Sequence, residues 1–404
     1  MPTYLYKARD ILGKRVRGTM EVATKEELID KLHKMGYMTT QVTETRPGAD
    51  LESFFSKIMP VSSESMTMFY LQLSNMINAG IPILTALHTL NKQIENKKLK
   101  ECVGSVWRSV EAGDSFSQAL SRYPRLFPKL FINMIKAGEV SGKLDMVVRR
   151  YSRYFERQEE LRQKIKGALF YPIILLIAGI AITLFIVTFI IPQFTEIFVK
   201  AGIRLPIPTL VLYKIGVLIK RFWFLGILFV IAAFIGVKYY SNTKRGRLTV
   251  DRMKLNMPIF GSLSRKAAIS RFARTLGTLT ASGVPILESL DITRDVVGNE
   301  VIGRIVGNAR QAVEKGEKIS NPLKVSDEFP PDAIQMITIG EETGNIDEML
   351  DKISDYYDLA VEYAIKKITT VLEPMFLLIL GGLVGFIMAS MLLPIFDMMK
   401  LLGR

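Results

Sequence analysis

Two long apolar runs without charge constrain this chain more than any other feature of its sequence. No residue from 167 to 195 or from 374 to 396 carries a formal charge. Each run exceeds the roughly 20 residues that a helix needs to cross a bilayer. A helix buried in a large soluble core could explain one such run, but two of them in one chain predict an integral membrane protein.

A weaker signal predicts a third span between these two. Phe222–Val237 is uncharged but too short to cross a bilayer by itself. It reaches the required length if it extends back to Ile215, with Lys220 and Arg221 directing their charged ends to the interface. The chain is therefore expected to cross the membrane three times.

The distribution of charge around the spans indicates their direction. Basic residues precede the first span and follow the second, but the short loop between these spans also contains five of them. The excess of basic residues therefore favours, by a small margin, soluble parts in the cytoplasm, with the N-terminus inside and the C-terminus outside. The absence of an apolar signal-peptide core in residues 1–30 and the single cysteine, Cys102, favour the same side. The net charge of +14 suits anionic lipid, nucleic acid or acidic proteins and does not choose among them.

The chain contains the same unit twice. At an offset of 203, Gly80 and Pro82 recur as Gly283 and Pro285. After the loss of one residue the offset becomes 202, and the pairs continue into the spans. The later pairs are Gly138 with Gly340, Glu139 with Glu341, Gly142 with Gly344, Pro172 with Pro374 and Pro192 with Pro394. This order predicts a parallel duplication, in which each unit is a soluble domain followed by one span.

Within each unit, apolar residues recur at helical spacing and Gly or Pro marks the boundaries. In the first unit, a stripe from Phe69 to Ile77 predicts a core-facing helix that Gly80 ends. Five more helices are expected at 82–90, 98–112, 116–122, 128–137 and from about 143 into the first span. In the second unit Ile319 replaces Phe116, which weakens the signal for its fourth helix.

The first 45 residues predict a small ββαβ module, with strands at 4–8, 15–22 and 37–44 and a turn at 10–14. Thr24 and Glu27 form a capping box for its helix. The expected fold class is a mainly α integral membrane protein with two homologous six-helix-bundle cytoplasmic domains, three transmembrane helices and this N-terminal module. The expected segments are 1–45 (module), 46–62 (linker), 63–166 (first bundle), 167–192 (span), 193–214 (extracytoplasmic loop), 215–238 (span), 239–264 (basic linker), 265–370 (second bundle), 371–396 (span) and 397–404 (tail).

Three features are candidate sites. Glu139 and Glu341 lie in the repeated G-E-x-x-G motif, where they could bind an ion or a partner, or cap backbone donors at a helix end. Glu373 lies at the entry to the third span, where it could be functional or could pair with Lys366 or Lys367.

The third feature is a pair of charged stripes. Asp351 and Asp355 continue an acidic helix face, and their counterparts in the first unit are Arg149 and Arg153. A solvated surface explains each residue alone. Opposite charge at matching places also suggests that the acidic face meets a basic surface, either the first unit's stripe or a partner protein.

The sequence offers no motif for catalysis or cofactor binding. It has no phosphate-binding P-loop, no H-E-x-x-H, no C-x-x-C and no G-x-S-x-G, and its two histidines have no partner at ligand spacing. We therefore expect no enzyme activity, no cofactor and no metal. A small-solute permease or channel built from repeats is the alternative, but it would need more spans and ionisable groups within them.

Several motifs resemble the polytopic inner-membrane platform family of type II secretion systems and type IV pili. They are Tyr6-Lys7-Ala8-Arg9-Asp10, Ala79-Gly80-Ile81-Pro82-Ile83-Leu84, Gly113-Asp114-Ser115-Phe116-Ser117, Gly138-Glu139-Val140-Ser141-Gly142 and Leu393-Pro394-Ile395-Phe396. The resemblance implies a non-enzymatic, homo-oligomeric scaffold in the bacterial inner membrane. It also implies partners: a cytoplasmic hexameric ATPase, other inner-membrane assembly proteins and pilin or pseudopilin subunits, but no nucleic acid.

The duplication predicts that both soluble units lie on one side of the membrane. A membrane-impermeant maleimide should therefore label Cys102 and a cysteine introduced near Lys315 from the same side of oriented vesicles. Labelling of the two positions from opposite sides would contradict the three-span topology.

Overall fold

The computed structural model describes residues 3–9, 15–22, 24–45, 60–200, 205–258 and 260–402. The predicted turn at 10–14, residues 46–59 of the predicted linker and the last two residues of the predicted tail lie outside the described residues.

The N-terminal module has the predicted ββαβ order. Its sheet is antiparallel, with β1 in the middle of the order β2-β1-β3. The hydroxyl of Thr24 accepts a hydrogen bond from the Glu27 amide at 3.3 Å and so caps the helix. Leu28 and Leu32 on that helix are fully buried beside Val22. The elements are β1 Thr3–Arg9, β2 Arg15–Glu21, α1 Lys25–Lys34 and β3 Met38–Thr45.

Each repeated unit folds as six helices, as its apolar periodicity predicts. Glycines with left-handed backbone end the first and fifth helices of both units, because only glycine adopts a positive φ without strain. The first unit contains α2 Ser63–Asn78, α3 Ile83–Gln93, α4 Lys97–Glu111, α5 Phe116–Ser121, α6 Lys129–Ser141 and α7 Leu144–Phe185.

The helices of the second unit follow in the same order after the second span. Its fourth helix is short, at five residues, and begins without a side-chain cap of its own. The second span is α9 Ile207–Ser241, and α10 Lys244–Asn256 connects it to the second unit. The six helices of that unit are α11 Phe260–Ala281, α12 Ile286–Val296, α13 Glu300–Glu314, α14 Ser320–Lys324, α15 Pro331–Thr343 and α16 Ile346–Leu402.

Three helical stretches are long and apolar enough to cross a membrane, at Leu144–Lys200, Ile207–Ser241 and Ile346–Phe396. The first continues from α7 through a π-helical turn at Ile186–Ile190 into α8, Ile191–Lys200. Most of the described part of the predicted loop 193–214 is helical. Thr195 and Phe198 on α8 and Leu212 on α9 are buried, and this packing keeps the chain helical past the apolar run.

The predicted linker 239–264 contains α10 and the start of α11. Asp251 holds α10 in place. Its side chain is buried, accepts a hydrogen bond from the Glu300 amide at 2.9 Å and pairs with Lys254 at 2.8 Å. Asp251 thus helps to cap α13, together with Asn299. The predicted tail 397–404 likewise continues α16 as far as Leu402.

The two units pack against each other along α7. Leu279, Val284 and Ile292 of the second unit lie in the buried core of the first. The hydroxyls of Tyr154 on α7 and Thr275 on α11 are hydrogen-bonded at 3.2 Å in the buried interface. Closer to the membrane, Leu161 joins an apolar cluster of the second unit, and Lys164 pairs with Glu362 on α16 at 2.5 Å.

The three spans contact one another at the end away from the two units. Val187, Ile191, Leu212 and Ile387 form an apolar cluster that joins all three. The Thr209 hydroxyl donates a hydrogen bond to the Ser390 carbonyl within this region. The helical geometry of α9 breaks at Phe222, and every residue from Phe222 to Tyr240 is exposed, as expected for a surface that faces lipid.

The natural cysteine is a poor reporter of topology. Cys102 is only 5% exposed, and burial raises the pKa of its thiol to about 12. Because the thiolate is the reactive form, a maleimide should label Cys102 slowly in the folded protein. Glu111→Cys in a Cys102→Ser background offers an exposed site on the same helix for the labelling experiment.

The shared core predicts that damage to one unit spreads to the other. Leu279→Ala should destabilise the protein by about 2–5 kcal/mol and expose both units to proteolysis, since Leu279 lies in the first unit's core. Leu276→Ala is the matched control, because Leu276 is equally buried but belongs to the second unit's own core. Limited proteolysis with mass spectrometry locates the cleavages. First-unit cleavages no greater for Leu279→Ala than for Leu276→Ala would contradict the shared core.

Candidate functional site

The two motif glutamates cap short helices in their own units. The Glu139 carboxylate accepts hydrogen bonds from the amides of Phe116 at 2.5 Å and Ser117 at 3.3 Å, and from the Ser117 hydroxyl at 2.5 Å. These amides form the N-terminus of α5, where unpaired donors and the helix dipole favour a negative charge. Glu139 therefore fixes α6 to the start of α5.

Glu341 makes the same connection in the second unit. It accepts hydrogen bonds from the amide of Ile319 and, at 3.2 Å, from that of Ser320, at the start of α14. The first unit has an additional cap, because Ser115 and Gln118 bond reciprocally in a capping box. In the second unit Lys318 takes the place of Ser115 and pairs instead with Glu342 at 2.8 Å.

The two glycines of each motif have different structural roles. The first, Gly138 or Gly340, lies inside its helix rather than in a turn. A Cβ there would meet Val147 at 3.1 Å or the Ile346 backbone at 3.0 Å, so glycine allows the next helix to approach closely. The second, Gly142 or Gly344, has a positive φ and reverses the chain into that helix. The motif thus positions the start of each long helix that continues into the membrane.

The acidic stripe is partly neutralised within the second unit. Arg274 on α11 pairs with Asp355 at 3.0 Å and with Asp358 at 2.5 Å, and Ser270 donates a second hydrogen bond to Asp358. Asp351 lies beside Gly277 of α11, and burial raises the pKa of its carboxyl. The stripe therefore fastens α16 to α11 as well as facing solvent.

The basic stripe has no such partners. Arg149 and Arg153 are exposed on α7, and neither forms an ion pair within the described part of the chain. The structure does not bring them to Asp351 and Asp355, so the expected contact between the two stripes does not form within one chain. Burial raises the pKa of Asp351, and the charge of the nearby first-unit residue Arg150 partly opposes that rise.

Glu373 is exposed at the start of the third span. It makes no ion pair with Lys366, Lys367 or another described residue. Positions six and seven residues apart on a helix are separated by about 9 and 10.5 Å along its axis. Sequence reasoning also missed Asp251 and Arg274, whose partners come from distant parts of the chain and leave no local signal.

The fold is a duplicated helical unit joined to three helices that are long and apolar enough to cross a membrane. Family models match the same duplication. The model for type II secretion system protein F matches residues 69–192 and again 272–394, and the model for that protein's N-terminal domain matches residues 1–43. The chain belongs to the type II secretion system protein F family.

Relatives from both branches of the family match the whole chain. A "Type IV pilus assembly protein PilC" of Thermus thermophilus is 37% identical over 100% of this chain and 99% of its own length. A "Type II secretion system protein F" of Xanthomonas campestris is 33% identical, and one of Vibrio cholerae is 28% identical, each over the full length of both chains. The family and these names give the permease alternative no support.

The capping role of the glutamates predicts that their loss destabilises the units. Glu139→Ala and Glu341→Ala each leave two helix-terminal amides without their acceptor, which should cost about 1–3 kcal/mol. The neighbouring variants Val140→Ala and Glu342→Ala serve as controls, because both side chains are exposed and the exposed pair of Glu342 with Lys318 should contribute little to stability. Thermal unfolding of the purified protein in detergent measures the change. A glutamate variant as stable as its control would contradict the capping role.

Proposed function

We propose that this chain is the inner-membrane platform of a machine that assembles a type IV pilus or a type II secretion pseudopilus. In this proposal the two helical units face the cytoplasm and bind a hexameric ATPase, and the spans act on pilin or pseudopilin subunits in the membrane. The names of the full-length relatives support the assignment to such a machine. The second span returns the chain across the membrane between the two units, which supports placing both units on the same side.

One observation carries the platform role. The last helix of each unit continues without a break in helical structure into a span, over 57 residues in Leu144–Lys200 and 57 residues in Ile346–Leu402. A helix of that length extends roughly 86 Å, well beyond the roughly 30 Å of a bilayer core. Since the units also share a core, a displacement imposed on them is transmitted directly to the spans.

The chemistry of the spans and units supports a scaffold rather than a catalyst or transporter. The first and third apolar runs contain no acidic, histidine, lysine or arginine side chain to carry a proton or an ion. The polar contacts at the repeated motifs are caps and ion pairs that fix helices to one another. We therefore propose that the partner ATPase supplies the energy and that this chain hydrolyses no nucleotide.

The exposed basic stripe is the better of the two proposed docking surfaces. Arg149 and Arg153 have no ion partner among the described residues, whereas Asp355 already pairs with Arg274. Unpaired surface charges steer and orient a partner with little effect on the stability of the fold. We propose that an acidic surface of the ATPase meets this stripe.

Charge reversal tests the docking proposal. Arg149→Asp with Arg153→Asp should leave the protein folded and membrane-inserted but weaken co-purification of the ATPase by roughly tenfold or more. The control is Lys97→Asp with Lys100→Asp, which makes the same change of charge at exposed positions of the same unit. Equal recovery of ATPase by both variants would reject the stripe as the docking surface. Failure of the wild-type chain to bind any pilus or secretion ATPase would reject the platform function itself.

A further inference from the structure

A basic cavity opens at the membrane end of the first unit. Its volume is about 420 Å³, and it lies between α2, α7 and α11. Phe155, Leu161 and Ile165 form apolar parts of its wall. The basic residues that line it are Arg162, Lys166 and Arg271.

The positive charge of this cavity is not balanced within the described residues. Glu159 is the one acidic residue in its lining, and it pairs with Arg162 at 3.6 Å. Arg162 also donates a hydrogen bond to the Ser63 hydroxyl at 3.3 Å. Lys166 and Arg271 make no hydrogen bond or ion pair with any other described residue, so two positive charges remain uncompensated.

Arg271 is the more informative of these two residues. Its side chain is largely enclosed by α11, by Tyr154 and by the turn at Gly298, where a Cβ would collide with the guanidinium. Burial lowers its pKa, because an unpaired cation is poorly solvated there. A bound anion would remove this cost.

The second repeat shows that the fold does not require charge at this place. The positions equivalent to Glu159, Arg162 and Lys166 are Val361, Ala364 and Ile368. All three pack in an apolar cluster with Leu263 and Ala267. Aliphatic side chains therefore fill this region in the second unit, whereas the first unit has a basic cavity there.

The cavity's position points to one kind of ligand. Lys166 is the last charged residue before the first span, at the level where lipid headgroups meet the protein. Guanidinium and ammonium groups bind phosphate oxygens through charge-assisted hydrogen bonds, and the apolar wall suits the first carbons of an acyl chain. We propose that this cavity binds the phosphate of an anionic phospholipid in the leaflet that faces the helical units. The proposal needs the membrane setting of the family but not the platform function.

Binding of a short-chain phosphatidylglycerol to the full-length protein in detergent tests this site, with phosphatidylcholine as the zwitterionic comparison. Native mass spectrometry should show selective retention of phosphatidylglycerol by the wild type. Lys166→Gln with Arg271→Gln should weaken that binding by roughly tenfold or more, since both unpaired positive charges of the lining are lost. The matched control is Lys366→Gln with Lys367→Gln, which removes two exposed charges at the same boundary of the third span and should bind as the wild type does.

Lys166→Gln alone keeps the test decisive if the double variant fails to fold, because the Lys166 side chain is exposed. Undiminished phosphatidylglycerol binding by this single variant would then overturn the proposal. So would binding of both lipids equally by the wild type. If inorganic phosphate binds and phosphatidylglycerol does not compete for the site, the ligand is a free anion and the lipid assignment is wrong. Loss of ATPase binding with unchanged lipid binding would assign the cavity to a protein partner and would also overturn it.

Discussion

Packing of α7 against α11 and α16 is the interaction on which the rest of this structure depends. It places residues of the second unit in the core of the first and buries the hydrogen bond between Tyr154 and Thr275. Without it, the duplication would give two separate bundles on two membrane anchors. With it, the two units and the starts of two spans form one body.

The membrane imposes the second constraint. A chain that crosses lipid must satisfy its backbone hydrogen bonds internally, so each span is a helix. Each of the two long helices, α7 and α16, runs from its unit into a span, with Pro172 or Pro374 inside it. The repeated glutamate and glycine motif fixes the start of each long helix against its own bundle. A motif that could have been a ligand site thus has a structural role.

Much of the fold follows from local pattern. Apolar periodicity and the stop signals at Gly80 and Gly142 predict the helices of the first unit, and charge-free runs predict the spans. Contacts between distant segments escape such reasoning. Residues 239–264 look like a basic linker because their helix is stabilised by Asp251, whose partners lie near residue 300. Likewise, the sequence shows an acidic stripe at Asp355 but cannot show that Arg274 neutralises part of it. The basic cavity also depends on α11 lying beside α7.

If the two helical units move as one body, the distance between them is fixed, and a distance measurement tests this most directly. Spin labels at Glu111 and Lys315 occupy exposed positions at the ends of equivalent helices in the two units. Double electron–electron resonance in lipid nanodiscs should give one narrow distance distribution between them. That distribution should stay unchanged when the proposed partner, a pilus or secretion ATPase, and nucleotide are added. A broad or two-peaked distribution, or a distance that changes with the nucleotide, would contradict the account.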